Sequence, residues 1–287
     1  MRFIPTGVSE ADFAAAIRAN VAAALAEDVG DGDVSAALID PATTASARVI
    51  TREPGVIAGL PWVREVCRQV DERIRFEPAV QDGERVQAEA LLYRLSGPAA
   101  ALLTAERTAL NFLQLLSGTA TLTAEYVALI AHTRTRLLDT RKTIPGLRLA
   151  QKYAVRCGGA DNHRLGLFDQ FLIKENHIAA AGSISAAVAR ARTLNASLKV
   201  EVEVEDLEQL QEAMHAGVDI VMLDNFSIRE TTRAAQIAGG RVLLESSGGI
   251  NRETIVKVAE AGVDYVSVGG LTKTVRPLDL SMRFETA

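Results

Sequence analysis

The sequence predicts an α/β protein in which a small α/β domain precedes a larger domain of alternating strands and helices. Alternation is the main observation behind this prediction, because six apolar, strand-like segments recur after residue 137 with helical stretches between them. Size is the second observation, since 287 residues with 48% hydrophobic side chains can form one large core or two ordinary ones. The third is a change of pattern near residue 117, where short β-rich segments give way to the strand–helix repeat.

The first part of the chain predicts one helix followed by a small α/β domain. Ser9 precedes an acidic and alanine-rich run that is typical of a capped helix. Short β-rich segments separated by turns fill residues 45–93, with one helix among them. A leucine stripe over 99–116 then predicts another helix, which Gly118 interrupts, so the first domain is predicted to span 1–117.

The second domain, predicted over 118–273, alternates strands with helices, and such alternation indicates a parallel sheet. A doubly wound sheet and a (β/α) barrel both fit this pattern. Polar residues end nearly every strand, which favours a barrel, because a barrel gathers all its strand ends at one face. There are six clear strands rather than eight, which predicts a shortened or open TIM-like barrel; they are LLDT, QFLIK, VEVEVE, IVMLDN, VLLESS and YVSVGG. Residues 274–287 form a C-terminal segment, for which packing against the first domain is one predicted arrangement.

The segment from Leu137 to His177 predicts a site for an anionic ligand. Its seven Lys and Arg residues against four acids give it a charge of +3, whereas the whole chain has a formal net charge of -5. Arg141, Lys142 and Lys174 each follow an apolar, strand-like run, so they should point out of one edge of the sheet. The predicted ligand is therefore small and carries several negative charges.

Two acids, Glu203 and Asp224, end successive strands within this otherwise cationic group. Mg²⁺ prefers a few carboxylates plus substrate oxygens, so the pair is a candidate for holding the metal through water and a diphosphate. A surface interpretation competes for Glu203, because Glu201, Glu203 and Glu205 alternate with valine and would give one acidic strand face that pairs with neighbouring Lys or Arg. Asp224 ends an apolar strand and is harder to explain in that way.

Small residues after the last two strands predict a phosphate site. They are Ser246, Ser247, Gly248, Gly249, Gly269 and Gly270. The first four should open a helix over about 251–261, whose free backbone N–H groups would suit a phosphate. The loops after the last strands of barrels commonly form such a site. Glycines that serve ordinary turns are the competing interpretation.

Several further candidates have little sequence support of their own. His163 and Arg164 lie in a loop before the second strand, where they are either surface residues or a pair of donors to a carboxylate. Arg107 lies inside a predicted helix and by itself is an exposed helix charge. Lys174 could form a Schiff base with a carbonyl substrate or simply contact phosphate. No metal-ligand spacing relates the other histidines, His132, His177 and His215.

Composition excludes several classes of function. No apolar run approaches the ~18 residues of a membrane span, and charged residues interrupt the N-terminus where a signal peptide needs an apolar core, so we expect a cytoplasmic protein. A pI near 5.5 predicts no general nucleic-acid surface. Cys67 and Cys157 are too few and too far apart for a disulfide framework or a zinc site, and both are predicted to be buried thiols.

Taken together, these motifs resemble the quinolinate phosphoribosyltransferase family, also called the carboxylating nicotinate-nucleotide diphosphorylases. The resemblance runs from about residue 25 to 284 in the family's order and rests on the segments EDVGDGDVS, AERTALNFLQLLSGTAT, DTRKTIPGLRLAQKYAV, GGADNHRLGLFDQFLIKENHI, VEVEVE, MLDNF, ESSGGI and SVGGLTK. It implies an N-terminal α/β sandwich domain and an open α/β barrel. It also implies a homodimer, or a higher homo-oligomer, in which one subunit's first domain covers the barrel mouth of the other.

The resemblance implies a role for each candidate residue. The cationic pocket for quinolinate would consist of Arg107 from the neighbouring subunit, Arg141, His163, Arg164 and Lys174. The site for phosphoribosyl diphosphate would consist of Lys142, Glu203, Asp224, Ser246, Ser247, Gly248, Gly249, Gly269 and Gly270, with Mg²⁺ held indirectly by the two acids. The implied catalytic residues are Lys142, Lys174, Glu203 and Asp224.

The reaction that the resemblance implies is phosphoribosyl transfer to quinolinate with decarboxylation, a step of de novo NAD biosynthesis. The ring nitrogen attacks C1 of the ribose as diphosphate leaves, and the adjacent carboxyl departs as CO₂, which gives nicotinate mononucleotide. Two other classes stay open: a Schiff-base lyase that uses Lys174, and a non-catalytic anion-binding or regulatory protein. A family relative encoded with molybdate transporters shares the barrel but not the full DNHRLG and IKENH pattern.

Overall fold

The structure of the protein is a computed structural model that describes residues 2–285. In chain order its helices and strands are α1 (Glu10–Val29), β1 (Thr44–Thr51), β2 (Gly55–Val56), α2 (Leu60–Val70), β3 (Arg75–Pro78), β4 (Arg85–Val86), β5 (Leu91–Pro98), α3 (Ala99–Ile130), β6 (Arg136–Leu138), α4 (Arg148–Cys157), β7 (Phe171–Ile173), α5 (Glu175–Ala181), α6 (Ile184–Leu194), β8 (Val200–Val204), α7 (Leu207–His215), β9 (Ile220–Asp224), α8 (Ile228–Ala238), β10 (Leu243–Ser247), α9 (Ile255–Glu260), β11 (Tyr265–Ser267), α10 (Gly270–Lys273) and β12 (Leu280–Phe284). The predicted start of α1 is confirmed, because the Ser9 side chain accepts a hydrogen bond from the Asp12 N–H group.

Two compact units divide the chain. Unit 1 contains the residues up to Ala124, Thr143–Gly159 and the residues from Leu271 onward, and unit 2 contains Glu125–Lys142 and Ala160–Gly270. Each unit is therefore assembled from separated stretches of sequence, which hydrophobic periodicity does not reveal. The domain bounds given by the sequence stay a prediction.

Unit 1 contains a four-stranded antiparallel sheet with the order β12–β1–β5–β3, so the last strand of the chain pairs with the first. Helices of this unit bury an aromatic cluster. The ring of Phe13 in α1 lies 5.6 Å from that of Trp62 in α2 and 5.1 Å from that of Tyr153 in α4, measured between centroids. Burial of these large rings stabilises the unit, because each removes much apolar surface from water.

Helix α3 runs unbroken through Gly118, where the sequence predicted an interruption. A Cβ atom at Gly118 would lie 2.1 Å from the carbonyl oxygen of Arg276. Glycine therefore allows a close approach of two backbones here, rather than ending a helix. The predicted interruption is wrong because the contact that requires glycine is distant in the sequence.

Unit 2 is built on a six-stranded parallel sheet with the order β6–β11–β10–β9–β8–β7. Its strands are the six that the sequence predicted, which confirms the α/β class and the parallel sheet. The first two strands of the unit, β6 and β7, stand at opposite edges, so the sheet is open between them. Since all six strands run in one direction, the residues that follow them meet at one edge of the sheet.

Two predictions made from composition concern membrane helices and thiols. Within residues 2–285, no helix combines the length and the apolar character that crossing a membrane requires. Cys67 and Cys157 are both buried and free, as predicted. Burial raises the pKa of Cys67 to about 12 and raises that of Cys157 as well, so neither is a reactive thiolate at neutral pH.

Candidate active site

The predicted site residues of unit 2 lie at or just beyond the carboxyl ends of its parallel strands. They are Arg141 and Lys142 after β6, Lys174 after β7, Glu203 in β8, Asp224 in β9, Ser246, Ser247, Gly248 and Gly249 at the end of β10, Gly269 and Gly270 after β11, and His163 and Arg164 after Asp161, which bridges Leu138. The strand pairing brings all of them to one edge of the sheet. Arg107 belongs to α3 in unit 1, where it is exposed, and its role stays a prediction.

Lys174 and Glu203 form an ion pair at this edge. Ile173 and Val202 are partners in the β7–β8 ladder, so the residues that follow them stand side by side. The Lys174 Nζ atom donates to Glu203 Oε2, and the two side chains are 39% and 13% exposed. This charge-assisted contact gives Lys174 a partner at the edge where the anion site was predicted, and it has no feature that is specific to Schiff-base chemistry.

Asp224 ends β9, and the next residue shapes the neighbouring glycine loop. Asn225 has a φ of 55°, its side-chain amide donates to Asp224 Oδ2 at 3.0 Å, and its backbone N–H donates to the Ser247 carbonyl at 3.0 Å. A Cβ atom at Gly248 would lie 2.1 Å from Asn225 Oδ1. The contact with Asn225 therefore requires glycine at position 248, whatever ligand the loop binds.

Gly269 makes room for Lys142. A Cβ atom at Gly269 would lie 3.0 Å from Lys142 Cδ and 3.5 Å from Thr140 Oγ1. The backbone N–H of Lys142 donates to the same Thr140 hydroxyl at 3.0 Å, which fixes the turn after β6. The small residue at 269 thus lets the aliphatic stem of an exposed cation lie against the end of β11.

The helix predicted after Ser246–Gly249 begins later than expected, at the start of α9. The two serines are the last residues of β10, and Asn251 then holds a turn, because its side-chain oxygen accepts from the N–H groups of Glu253 at 2.9 Å and Thr254 at 3.2 Å. Gly270 likewise begins α10 instead of ending β11. The prediction that these residues directly precede a helix is therefore wrong. A phosphate bound here would contact backbone N–H groups of the loop.

Asp139, which is fully buried, holds the loop that contains His163 and Arg164. Its carboxylate oxygens accept from the His163 backbone N–H at 2.9 Å and from Asn162 Nδ2 at 2.7 Å. Burial and the neighbouring charge of Arg141 lower the pKa of Arg164. Two guanidinium groups that repel each other favour the binding of an anion, which relieves the repulsion.

Two glutamates that the sequence did not mark as site residues, Glu201 and Glu245, lie against His163. Its Nε2 atom is 3.1 Å from Glu201 Oε2 and 3.5 Å from Glu245 Oε2, and the three side chains are 8%, 0% and 1% exposed. Gln170 Nε2 also donates to Glu201 Oε2 at 2.6 Å. The surface interpretation of the VEVEVE strand is therefore wrong at Glu201. One signal was available, since alternate residues of a barrel strand face its interior.

Burial raises the pKa of both carboxyls. The pKa of Glu201 is raised to about 7, and that of Glu245 is raised to about 8 by burial and by the neighbouring charge of Glu201. A hydrogen bond with Glu245 and then the charge of Arg164 oppose the rise in pKa at Glu201, and the charge of His163 opposes it at Glu245. The two coupled carboxyls therefore keep a proton to higher pH than separate, exposed carboxyls would.

The same three groups do not suit a metal ion, although their ligand atoms lie within 4.8 Å of one another. His163 Nδ1 accepts a hydrogen bond from the Arg164 backbone N–H at 2.7 Å. The neutral ring must then carry its proton on Nε2, the nitrogen that faces the glutamates. A protonated nitrogen cannot bind a metal.

Comparison with protein-family models matches both parts of the chain. Residues 33–117 match the quinolinate phosphoribosyl transferase N-terminal domain, and residues 119–283 match the quinolinate phosphoribosyl transferase C-terminal domain. The chain belongs to the quinolinate phosphoribosyltransferase family. The family resemblance that the motifs indicated is thereby confirmed.

Relatives in the quinolinate phosphoribosyltransferase family resemble the chain over nearly its full length. The nicotinate-nucleotide pyrophosphorylase [carboxylating] of Mycobacterium leprae is 43% identical over 282 residues, 96% of this chain and 99% of that protein. The quinolinate phosphoribosyltransferase [decarboxylating] 1b of Nicotiana tabacum is 36% identical over 284 residues, 92% of this chain and 81% of that protein. The solved structure of the nicotinate-nucleotide pyrophosphorylase from Francisella tularensis superposes with a TM-score of 0.93 at 49% identity, covering 95% of this chain and 97% of that one. This likeness confirms the predicted N-terminal domain and TIM-like barrel.

Proposed function

We propose that the chain transfers the phosphoribosyl group of phosphoribosyl diphosphate to quinolinate and releases CO₂, which yields nicotinate mononucleotide and diphosphate. Membership of the quinolinate phosphoribosyltransferase family over both domain models carries this function, which belongs to NAD biosynthesis. The edge of the unit 2 sheet at the carboxyl ends of its strands supports this function, because it carries the charges that such substrates need. These are the cations Arg141, Lys142, Arg164 and Lys174 and the acids Glu203 and Asp224.

Quinolinate is assigned to the arginine-rich side of this edge. Its two carboxylates are planar anions, and a guanidinium group binds a carboxylate through two parallel hydrogen bonds. Arg141 and Arg164 offer that geometry, and Lys174 adds a third cation. The family resemblance adds His163 and, from the neighbouring subunit, Arg107.

Phosphoribosyl diphosphate is assigned to the side that carries the acids and the glycine loops. Lys142 is the exposed cation there, and the small residues implied for the phosphates are Ser246, Ser247, Gly248, Gly249, Gly269 and Gly270. Glu203 and Asp224 fit Mg²⁺ by donor chemistry, since both offer carboxylate oxygens from the adjacent strands β8 and β9. When bound, Mg²⁺ would neutralise charge on the diphosphate and make it a better leaving group.

The chemistry follows from where charge develops. Quinolinate, the 5′-phosphate and the diphosphate bring several anions into one site, and the cations of this edge offset their repulsion. As the ribose C1–O bond breaks, positive charge develops on the sugar ring, and we assign its stabilisation to Glu203 and Asp224. The pyridine nitrogen attacks with its own electron pair, so no residue has to act as an indispensable base. The nitrogen then carries positive charge, which stabilises the carbanion left by CO₂ until a proton replaces it.

We further propose a homodimer, or a higher homo-oligomer, with shared active sites in the cytoplasm. The support for a shared site is that Arg107 is exposed on α3 and that the family resemblance implies a cation from the neighbouring subunit. No nucleic acid or membrane partner is proposed, in keeping with the acidic pI near 5.5.

A product assay tests this function. The purified chain is incubated with phosphoribosyl diphosphate, Mg²⁺ and either quinolinate or nicotinate, and nicotinate mononucleotide and diphosphate are measured. We expect both products with quinolinate and none with nicotinate. If the folded protein formed no product from quinolinate, or used nicotinate equally well, the proposed function would be wrong.

A further inference from the structure

Two buried acids inside unit 2, Glu201 and Glu245, lie against His163 and take no direct part in the proposed reaction. We refer to His163, Glu201 and Glu245 as the buried triad. Its members come from a loop and from two separate strands, β8 and β10, and each side chain is at most 8% exposed. Burying two carboxyls in the interior of a sheet costs folding free energy, and such groups cluster at functional sites.

Both ring nitrogens of His163 are occupied from within the protein. Nδ1 accepts from the Arg164 backbone N–H at 2.7 Å, while Nε2 lies 3.1 Å from Glu201 and 3.5 Å from Glu245. Gln170 holds Glu201 in turn, through a 2.6 Å hydrogen bond. In this arrangement the Nε2 side of the ring faces the buried carboxyls.

The buried triad is connected to the proposed quinolinate site through the backbone of Arg164. The N–H group that donates to the His163 ring belongs to the residue whose guanidinium we assign to quinolinate. Asp139 fixes the preceding part of the loop through the His163 N–H and the Asn162 side chain. A rotation of the His163 ring would therefore release the Arg164 backbone while the rest of the loop stayed in place.

We propose that His163, Glu201 and Glu245 are positioning residues: the two buried carboxyls hold the His163 ring, and the ring holds the Arg164 backbone so that its guanidinium is oriented for a substrate carboxylate. The identity of the substrate rests on the proposed function, whereas the network does not. The proposal adds the support of Arg164 to the quinolinate contact that the family resemblance implies for His163.

Ring NMR tests the network without any reference to catalysis. The chain has only four histidines, so the His163 ring nitrogens can be assigned by their loss in His163→Asn. We expect a neutral ring with its proton on Nε2, and we expect Glu245→Leu to shift that signal. A ring protonated on Nδ1, or a signal that Glu245→Leu does not move, would overturn the proposal.

Ligand affinity tests the consequence for the substrate. Glu245→Leu should weaken quinolinate binding, measured by calorimetry, by about tenfold to a hundredfold, because a small misplacement of an orienting group has effects of that size. Binding of phosphoribosyl diphosphate should change by less than about twofold, and Glu245→Gln, which keeps an acceptor for the ring, should restore most of the loss. Glu205→Gln, an exposed acid of the same segment, is the matched control and should change neither affinity.

The outcomes separate failure of the positioning role from failure of the proposed function. If wild type does not bind quinolinate, the proposed function fails, and the NMR result still decides the network. If wild type binds and a folded Glu245→Leu binds equally well, or loses both ligands alike, the positioning role is wrong. Should Glu245→Leu not fold, Gln170→Leu, which removes the donor to Glu201, decides the matter: we expect a selective loss for quinolinate of about threefold to tenfold, and no loss would overturn the role.

Discussion

The interiors of the two units differ in kind. In unit 1, Phe13 and Trp62 pack among aliphatic side chains, whereas in unit 2 the carboxyls of Asp139, Glu201 and Glu245 are buried. Apolar burial contributes directly to stability, but a buried acid costs stability unless its oxygens are bonded. The difference indicates that substitutions in the aromatic cluster of unit 1 act on folding, while those at the buried acids of unit 2 also act on ligand binding.

A partly buried acid of unit 1, Asp82, sharpens this comparison. Asp82 accepts from the N–H groups of Gly59 at 3.1 Å and Leu60 at 3.2 Å and from the Tyr153 hydroxyl at 2.7 Å, so it caps the start of α2. By contrast, Glu245 is fully buried beside the carboxyl of Glu201, and its Oε2 atom lies 3.5 Å from His163 Nε2. A fully bonded acid serves the fold, whereas two acids buried side by side in the interior of unit 2 indicate a functional constraint.

The largest effect is expected from Arg164→Ala. Loss of a guanidinium from a charged, partly buried substrate site should lower kcat/KM for quinolinate by about a hundredfold to a thousandfold. Arg164→Lys should recover little, because an ammonium group lacks the planar fork. Steady-state kinetics measure both, with the exposed Arg229→Ala as the control. Equal losses in Arg164→Ala and Arg229→Ala would contradict the assignment.

The shared site predicts complementation between two inactive variants. Arg107→Ala chains and Lys174→Ala chains should each be nearly inactive, because each removes a cation from every site. After subunit exchange, half of the sites in each mixed dimer are intact, so a one-to-one mixture should reach about a quarter of wild-type activity. Mixed dimers are isolated by two affinity tags and assayed. If tagged mixed dimers form and stay inactive, the site is not shared.

A substitution in the aromatic cluster of unit 1 is expected to lower stability without changing the binding of quinolinate. Phe13→Ala leaves a cavity between Trp62 and Tyr153 and should lower the free energy of unfolding by about 3–5 kcal/mol. The folded fraction should keep its KM for quinolinate. Thermal denaturation measures the loss of stability, and kinetics at low temperature measure KM for quinolinate. Leu38→Ala, which removes a side chain in a residue that is 88% exposed, is the control and should leave the melting temperature unchanged.

The last expected effect concerns the dependence of stability on pH. In the native state the pKa of Glu245 is raised to about 8 from its usual 4.5, so above pH 4.5 the folded chain holds a proton that the unfolded chain releases. Stability should therefore fall as pH rises from about 4.5 to about 8 and level off above that. Glu201 and His163 face Glu245 and share this titration.

Glu245→Gln isolates that contribution, because the amide does not titrate. The melting temperature of the variant, followed between pH 5 and pH 9, should fall less steeply than that of wild type. Parallel curves for the two proteins would show that Glu245 is not protonated in the native state.

The strands and the charged edge followed from local sequence, whereas the buried triad did not. Alternation of apolar strands with helices gave all six strands of unit 2, and each strand's last residues marked the edge. Which side of β8 faces inward depends on how the sheet curves and closes, so Glu201 was assigned to a surface face. Gly118 was misjudged for a related reason, since the backbone of Arg276, far along the chain, requires it.

Release of labelled CO₂ tests the central claim most directly. Quinolinate is labelled in one of its two carboxyls and incubated with the chain, Mg²⁺ and phosphoribosyl diphosphate. The account predicts that CO₂ is released only from the carboxyl next to the ring nitrogen, only when phosphoribosyl diphosphate is present, and in equal amount to nicotinate mononucleotide. Release without phosphoribosyl diphosphate, or from the other carboxyl, would contradict transfer to the ring nitrogen before decarboxylation.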